Sequence, residues 1–218
     1  TRVPLNIYDE GLALVNALRV SRGEMPFRDY WAIYPPGQSY TIAAVFQVAG
    51  TTISAERAYD ALVRLLGAVM VFLVARQMVR GWIGPVLIYG LVIGLLAAAT
   101  FYGYAMFPAI LCAFCALWCF FQYLAQRRQR WLLAAGLASG ITALYRVDVA
   151  GYAGVAIVLS LLLYDLLSKA NDDSSATRRR TFVGNGLLVA GGALLIALPF
   201  YGYLALAGNG GELFNNLL

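Results

Sequence analysis

The chain has 218 residues, of which 61% are hydrophobic and 12% are charged, and its formal net charge is +5. A soluble domain carries about 25% charged residues, so this composition excludes an ordinary soluble protein and indicates an integral membrane protein. The arginines gather in short segments between apolar stretches, which is typical of topology signals and not of a nucleic-acid surface. The chain contains no histidine, so proton transfer would fall to Asp, Glu, Tyr or Lys.

Residues 1–55 are polar and are predicted to form one long loop that carries short helices at the membrane surface. An acidic pair, Asp9 and Glu10, opens an amphipathic helix over residues 12–22, and acids suit the first turn of a helix. The apolar patch over residues 42–48 is too short to span a bilayer and predicts a juxtamembrane helix. Ser54 is the predicted N-cap of the helix that follows.

Six apolar segments follow, and they predict an all-α membrane bundle over residues 56–218. A helix needs about 20 residues to cross a hydrocarbon core of about 30 Å, so the second and fourth segments are short. We expect these two to be packed inside the bundle or to have ends that line a wet cavity. The predicted spans are residues 58–78, 86–101, 105–124, 131–145, 149–167 and 183–206.

The arginine-rich loops predict the orientation of the bundle. Residues 76–80, 127–130 and 169–180 contain nine of the 16 lysines and arginines, and the positive-inside rule places them in the cytoplasm. The long first loop then faces the periplasm or exterior. Short arginine-rich loops and the lack of luminal cysteine pairs favour a bacterial plasma membrane.

Three cysteines, Cys112, Cys115 and Cys119, recur at helical spacing inside one apolar segment. A thiolate metal site with three ligands in lipid is a poor explanation for them. We interpret them as small apolar core residues, and the sequence indicates no metal site.

Two pairs of charged residues could bind an anionic substrate. Arg28 and Asp29 lie in the first loop, where an arginine fork matches phosphate oxygens, although a local surface ion pair explains them equally well. Arg146 and Asp148 interrupt an apolar stretch, and ionisable groups at membrane depth usually face a cavity or a partner. The alternative is a simple turn between spans with a self-satisfied pair. Tyr34 precedes a Pro-Pro-Gly turn in the same loop.

The order of these residues resembles a known family. An acidic pair, an amphipathic helix, a Pro-Phe-Arg-Asp sequence, a Tyr-Pro-Pro-Gly turn and a span opening with Glu-Arg resemble the first extracytoplasmic loop of GT-C fold glycosyltransferases. Within that fold, the pattern resembles protein O-mannosyltransferase-like and aminoarabinose-transferase-like membrane enzymes. The Arg-x-Asp sequence of residues 146–148 also resembles the one that these enzymes have at the end of a span. The matching loop residues are Asp9, Glu10, Gly11, Gly23, Pro26, Phe27, Arg28, Asp29, Tyr34, Pro35, Pro36, Gly37 and Arg57.

The resemblance implies inverting sugar transfer from a polyprenyl-phosphate donor to an acceptor hydroxyl on a protein, lipid or glycan, outside the cytoplasm. Asp9 would be the general base, Glu10 would assist or orient it, and Arg28 or Arg146 would hold the lipid phosphate. Asp29, Tyr34 and Asp148 would complete the substrate site. No cofactor is required, although two carboxylates could recruit a divalent cation. The family's first span and later parts are absent from the chain, so we expect a fragment that is inactive alone.

A transporter or flippase for a lipid-linked or small polar substrate is the main alternative. In that reading Arg146, Asp148, the Gly191-Gly192 pair and Pro199 would line a pathway. It predicts polar residues at mid-span positions and an internal repeat, and the sequence contains neither. A purely structural membrane subunit is a third possibility, but it leaves the ordered first loop unexplained.

Overall fold

A computed structural model describes residues 10–99, 102–167, 175–208 and 210–217 of the chain. These residues form helices and connecting turns, without a β-strand. Four of the described helices are long and apolar enough to cross a membrane. Their candidate spans are Ile53–Met78, Met106–Gln126, Val147–Tyr164 and Phe182–Ala207. The predicted all-α polytopic bundle is therefore confirmed. The helices are α1 (Glu10–Ser21), α2 (Gly37–Ala49), α3 (Ile53–Met78), α4 (Ile83–Ala98), α5 (Met106–Gln126), α6 (Arg130–Tyr145), α7 (Val147–Leu167), α8 (Ser175–Ala207) and α9 (Gly210–Leu217).

The cap of α3 differs from the prediction. Thr52, not Ser54, is the N-cap, and its side chain accepts a hydrogen bond of 3.1 Å from the backbone N–H of Ala55. Thr52 has the extended backbone that an N-cap needs, whereas Ser54 already lies inside the helix. The prediction was wrong because two hydroxyl residues lie close together, and local sequence does not choose between them.

The two short apolar helices, α4 and α6, have 16 residues each but occupy different places. Helix α6 lies inside the bundle between α5 and α8 and buries Leu132 and Ala135 in the main core. Helix α4 lies on the outside, with Pro85 as its buried residue. Interior packing, one of the two expected arrangements, is therefore correct for α6 and wrong for α4. At the end of α4, Arg64 of α3 donates to the carbonyl oxygen of Leu96 at 2.7 Å and to that of Ala99, the residue after the helix, at 2.6 Å.

Glycines allow α6 and α8 to touch through their backbones. A Cβ atom on Gly136 would lie 3.0 Å from Cα of Val189, and one on Gly140 would lie 2.6 Å from the carbonyl oxygen of Ala193. On the facing helix, a Cβ on Gly192 would lie 2.8 Å from a carbonyl oxygen of α6. Close approach through small residues is how membrane helices gain packing energy in the absence of a hydrophobic drive between them.

The first loop packs on one end of this bundle. Gln38, at the start of α2, donates a hydrogen bond of 3.1 Å to the carbonyl of Gly103, in the turn between α4 and α5. Phe27 is buried in a cluster with Leu204 of α8 and Leu213 of α9. A side chain at Gly37 would collide with the carbonyl of Leu144 at the end of α6. The loop therefore covers the ends of several helices at once.

Candidate functional site

Arg146 is the centre of a polar cluster at the covered end of the bundle. It follows the last residue of α6 in an extended conformation, so its side chain leaves the helix at the corner with α7. Its Nη1 atom donates to the hydroxyl of Tyr104 at 2.9 Å, and its guanidinium lies 5.0 Å from the ring centre of Tyr34. Nε and Nη2 donate to the two carboxylate oxygens of Asp148 at 3.0 and 2.7 Å. The structure thus brings together three residues that the sequence suggested separately, Tyr34, Arg146 and Asp148.

This cluster is charged and reachable. The side chain of Arg146 is 17% exposed and that of Asp148 is 44% exposed. The hydrogen bonds that Arg146 donates to Asp148 raise the pKa of the arginine, so it stays charged at every physiological pH. An incoming phosphate could compete with Asp148 for the arginine fork. The same geometry also agrees with a self-paired turn, the alternative that the sequence left open, because the Asp148 carboxylate accepts from two donors of Arg146.

Tyr104 is a site residue that the sequence analysis missed. It contacts both Arg146 and Tyr34, whose ring centre lies 5.7 Å from its own in an edge-to-face arrangement. The available signal was its position in an aromatic turn between two spans at the same end as Arg146. That signal places it at the correct end but does not predict the contact.

A cavity of about 280 Å³ lies beside the two tyrosines. One side is a face of α1, and the other sides are the Tyr34-Pro35 turn, the start of α2 and residues 103–105. Gly103 has φ +68°, and a Cβ there would lie 3.0 Å from Cβ of Ala13, so the cavity wall requires a glycine. The lining residues are Leu12, Ala13, Asn16, Ala32, Ile33, Tyr34, Pro35, Gln38, Ser39, Gly103, Tyr104 and Ala105.

An apolar groove of about 550 Å³ begins at the residue after Arg146. It runs along α8 and is closed by α9. Apart from the Tyr201 hydroxyl, which donates to the carbonyl of Ala143 at 2.6 Å, its side chains are hydrocarbon. The lining residues are Val147, Leu198, Tyr201, Gly202, Ala205, Gly210, Leu213 and Phe214.

Glu10 is held in a buried ion pair with Arg57 of α3. The two guanidinium–carboxylate hydrogen bonds measure 2.6 and 2.9 Å, and the side chains are 0% and 9% exposed. This bidentate pair fixes the first turn of α1 against the bundle. Asp9, the predicted general base, lies outside the described residues. Glu10, which follows Asp9 in the sequence, is held in place by its ion pair with Arg57.

Glu56 lies next to this pair and is a second feature that the sequence did not reveal. Its carboxylate is buried, and neither oxygen forms a hydrogen bond within the described part of the chain. The neighbouring charges belong to Glu10, Arg57, Asp60 and Arg64, and the last two form their own ion pair. Burying a carboxylate without hydrogen bonds costs free energy, so we expect Glu56 to destabilise this part of the bundle.

Arg28 and Asp29 lie apart from the Arg146 cluster. Arg28 pairs with Asp29 through hydrogen bonds of 3.0 and 2.8 Å, and Asp29 also accepts from the backbone N–H of Met25 at 2.7 Å. The Arg28 hydrogen bond, followed by the Met25 N–H, lowers the pKa of Asp29 to about 2. Within the described ranges, no hydrogen bond or ion pair joins this pair to Arg146. The geometry matches the local surface pair that the sequence left open.

The possible metal ligands are scattered. In the part of the chain that the structure describes, no group of three or more His, Cys, Asp or Glu side chains could hold a metal ion. The three cysteines of α5 are free and partly buried.

Comparison with known protein families gives a match over most of the chain. The sequence model of the dolichyl-phosphate-mannose-protein mannosyltransferase family matches residues 34–203. The matched range contains Tyr34, Tyr104, Arg146 and Asp148, and it begins after Arg28 and Asp29. No curated protein and no solved structure matches the chain significantly.

Proposed function

Because the chain belongs to the dolichyl-phosphate-mannose-protein mannosyltransferase family, we propose that it transfers a sugar from a polyprenyl-phosphate donor to an acceptor hydroxyl. The family makes it a membrane glycosyltransferase of the mannosyltransferase type, consistent with its four membrane-length apolar helices. The transporter alternative is disfavoured, since the matched family is one of mannosyltransferases. The acceptor could be a protein, a lipid or a glycan.

The observation that carries this proposal is the position of Arg146 between two different cavities. Tyr34 and Tyr104 line the first cavity and contact Arg146, and Val147 opens the apolar groove. A polyprenyl-phosphate sugar has the same order of parts, namely a polar ring, a phosphate and a hydrocarbon chain. Arg146 is the group that would bind the phosphate, through the planar fork that suits phosphate oxygens.

Arg146 fits the phosphate role better than Arg28. Arg28 is an exposed residue paired with its sequence neighbour, and it lies outside the lining of the two cavities described above. Arg146 is partly buried, and two aromatic rings contact its guanidinium. Partial burial strengthens an electrostatic interaction, because less water screens it.

We propose an inverting displacement in one step. The acceptor oxygen attacks the anomeric carbon while the bond from that carbon to the phosphate oxygen breaks, and the phosphate leaves with the electron pair. Asp9 takes the proton of the acceptor hydroxyl, and Arg146 stabilises the charge that develops on the phosphate. Glu10 orients the base, because its ion pair with Arg57 anchors the start of α1 beside the cavity.

The cellular setting is part of the proposal. The covered end of the bundle, with the first loop and Arg146, would face the periplasm or exterior, and the arginine-rich loops would face the cytoplasm. A bacterial plasma membrane fits these short loops. No cofactor is assigned, and the two acids of the first loop leave room for a divalent cation.

The test uses the full-length protein in liposomes with a panel of polyprenyl-phosphate sugars, and release of polyprenyl phosphate is measured. Asp9→Asn should abolish turnover while donor binding persists. Arg146→Gln should lower kcat/KM by about 10- to 150-fold, the range for a lost hydrogen bond to a charged group. Arg28→Gln is the matched control and should change kcat/KM by less than about threefold. Equal losses in the two arginine variants would contradict the assignment of Arg146, and a wild-type full-length protein that consumes no donor would contradict the transferase proposal.

A further inference from the structure

The position of the cavity beside Tyr34 and Tyr104 restricts which part of a lipid-phosphate sugar could bind in it. In a lipid-phosphate sugar the anomeric carbon is bonded to a phosphate oxygen, so the ring must lie close to the arginine that binds the phosphate. Both tyrosines line the cavity and contact Arg146. We infer that this cavity receives the glycosyl ring of the donor, and that Asn16 selects the sugar by hydrogen bonding one of its hydroxyl groups. This inference rests on the proposed function of the same site.

Most polar groups around the cavity are already engaged. The amide of Gln38 donates to the carbonyl of Gly103 at 3.1 Å and accepts from the hydroxyl of Tyr59 at 3.2 Å. The Tyr104 hydroxyl accepts from Arg146 and lies 3.5 Å from the Tyr34 hydroxyl. These groups shape the cavity but have little capacity left for a ligand.

Asn16 is different because its side chain has capacity to spare. Its backbone carbonyl accepts from the Tyr30 hydroxyl, but its side-chain amide forms no hydrogen bond within the described residues. An amide offers two donors and an acceptor, which complements a sugar hydroxyl that both donates and accepts. Asn16 lines the cavity and is partly exposed, so the amide can be reached from it.

Asn16 also stands on a rigid element. The opposite face of α1 buries Leu14 and Ala17 in a cluster with Ile42 and Ala43 of α2. The start of α1 is fixed by the ion pair of Glu10 described above. A polar group on a fixed helix discriminates between ligands better than one on a mobile loop, because it cannot move to accept an analogue.

The rest of the cavity wall makes discrimination effective. Leu12, Ala13, Ala32, Ile33 and Pro35 offer hydrocarbon, so a hydroxyl that loses Asn16 has few replacements. A site that hydrogen bonds a substrate hydroxyl rejects the analogue that lacks it, since its own polar group is then left without a partner. Asn16 is therefore assigned as the residue that determines sugar specificity.

The experiment compares the wild-type full chain with Asn16→Ala on the active polyprenyl-phosphate sugar and on its monodeoxy analogues. Asn16→Ala should lower kcat/KM for the parent sugar by about 2- to 12-fold, the effect of one neutral hydrogen bond. For one deoxy donor the wild type and the variant should have the same kcat/KM, and that donor identifies the hydroxyl. Val15→Ala is the matched control, because Val15 is an exposed neighbour on α1 outside the cavity lining.

Three results would overturn the inference. The loss in Asn16→Ala could persist on every deoxy donor, or it could disappear only when the acceptor is changed, which would place the acceptor in the cavity. The loss could also accompany a fall in the thermal unfolding temperature below that of Val15→Ala, which would indicate a structural effect. A wild-type chain that consumes no donor fails in a distinguishable way, because it overturns the proposed function and this inference with it.

Discussion

The buried ion pair between Glu10 and Arg57 should be one of the most sensitive points of the structure. Arg57→Met removes the cation and retains a side chain of similar length. It leaves Glu10 close to the carboxylate of Glu56, whose oxygens already form no hydrogen bond within the described residues. Two buried carboxylates would then face each other without the charge of Arg57 between them.

The expected size of this effect follows from the burial of the pair. Removing one partner of a buried ion pair costs about 3 to 5 kcal/mol, because the other charge loses its compensation. In a chain of this size 1 kcal/mol corresponds to about 2 to 4 °C, so the unfolding temperature should fall by about 6 to 20 °C. Glu10→Gln should cost less, because Glu56 remains near Arg57 and supplies a negative charge.

Thermal unfolding of the purified chain in detergent measures these differences. The wild type, Arg57→Met, Glu10→Gln and the double variant form a double-mutant cycle. The double variant should be more stable than the sum of the two single losses predicts, since it removes both members of the pair. An Arg57→Met variant within about 1 kcal/mol of the wild type would refute this reasoning, and so would losses that simply add.

Three further predictions concern other parts of the fold. Glu56→Gln should leave the unfolding temperature unchanged or raise it, because it removes a buried charge that has no hydrogen bond in the described part of the chain; a fall of several degrees would show that the charge is needed. Asp29 has a pKa lowered from 3.8 to about 2, so the folded loop is favoured by the ionised carboxylate above pH 4 and loses that contribution as the pH falls towards 2. Hydrogen exchange of the loop amides, corrected for intrinsic rates, should accelerate over this window, and unchanged protection would contradict the sign. Gly37→Ala should lower both stability and transfer rate, because the new Cβ would lie 2.8 Å from the carbonyl carbon of Leu144; Gly90→Ala, which meets open space, is its control and should change neither.

Much of the architecture could be predicted because lipid imposes a simple rule on sequence. Apolar segments are visible without a structure, and each helix from α3 to α8 overlaps one predicted segment, although α4 and α8 begin earlier than predicted. Arg146 and Asp148 break an apolar stretch and pair with each other, which is the self-satisfied turn that the sequence left open beside the interpretation as a substrate site.

The packing position of each helix could not be predicted. Helices α4 and α6 both have 16 residues and both contain glycines spaced four apart. Gly136 and Gly140 nevertheless contact α8, whereas Gly90 and Gly94 meet open space. The difference lies in which surface the neighbouring helix presents, and this is a tertiary property. For the same reason, the contact between Tyr104 and Arg146 could not be predicted, since the two residues are 42 positions apart.

The short length of α6 has a consequence for the lipid around the protein. Its 16 residues rise about 24 Å at 1.5 Å per residue, less than the hydrocarbon thickness of about 30 Å. A bilayer accommodates a helix shorter than its hydrocarbon core by thinning beside the protein. Bilayers of shorter acyl chains should therefore fit α6 with less distortion, and we expect the rate of sugar transfer in liposomes to depend on acyl-chain length.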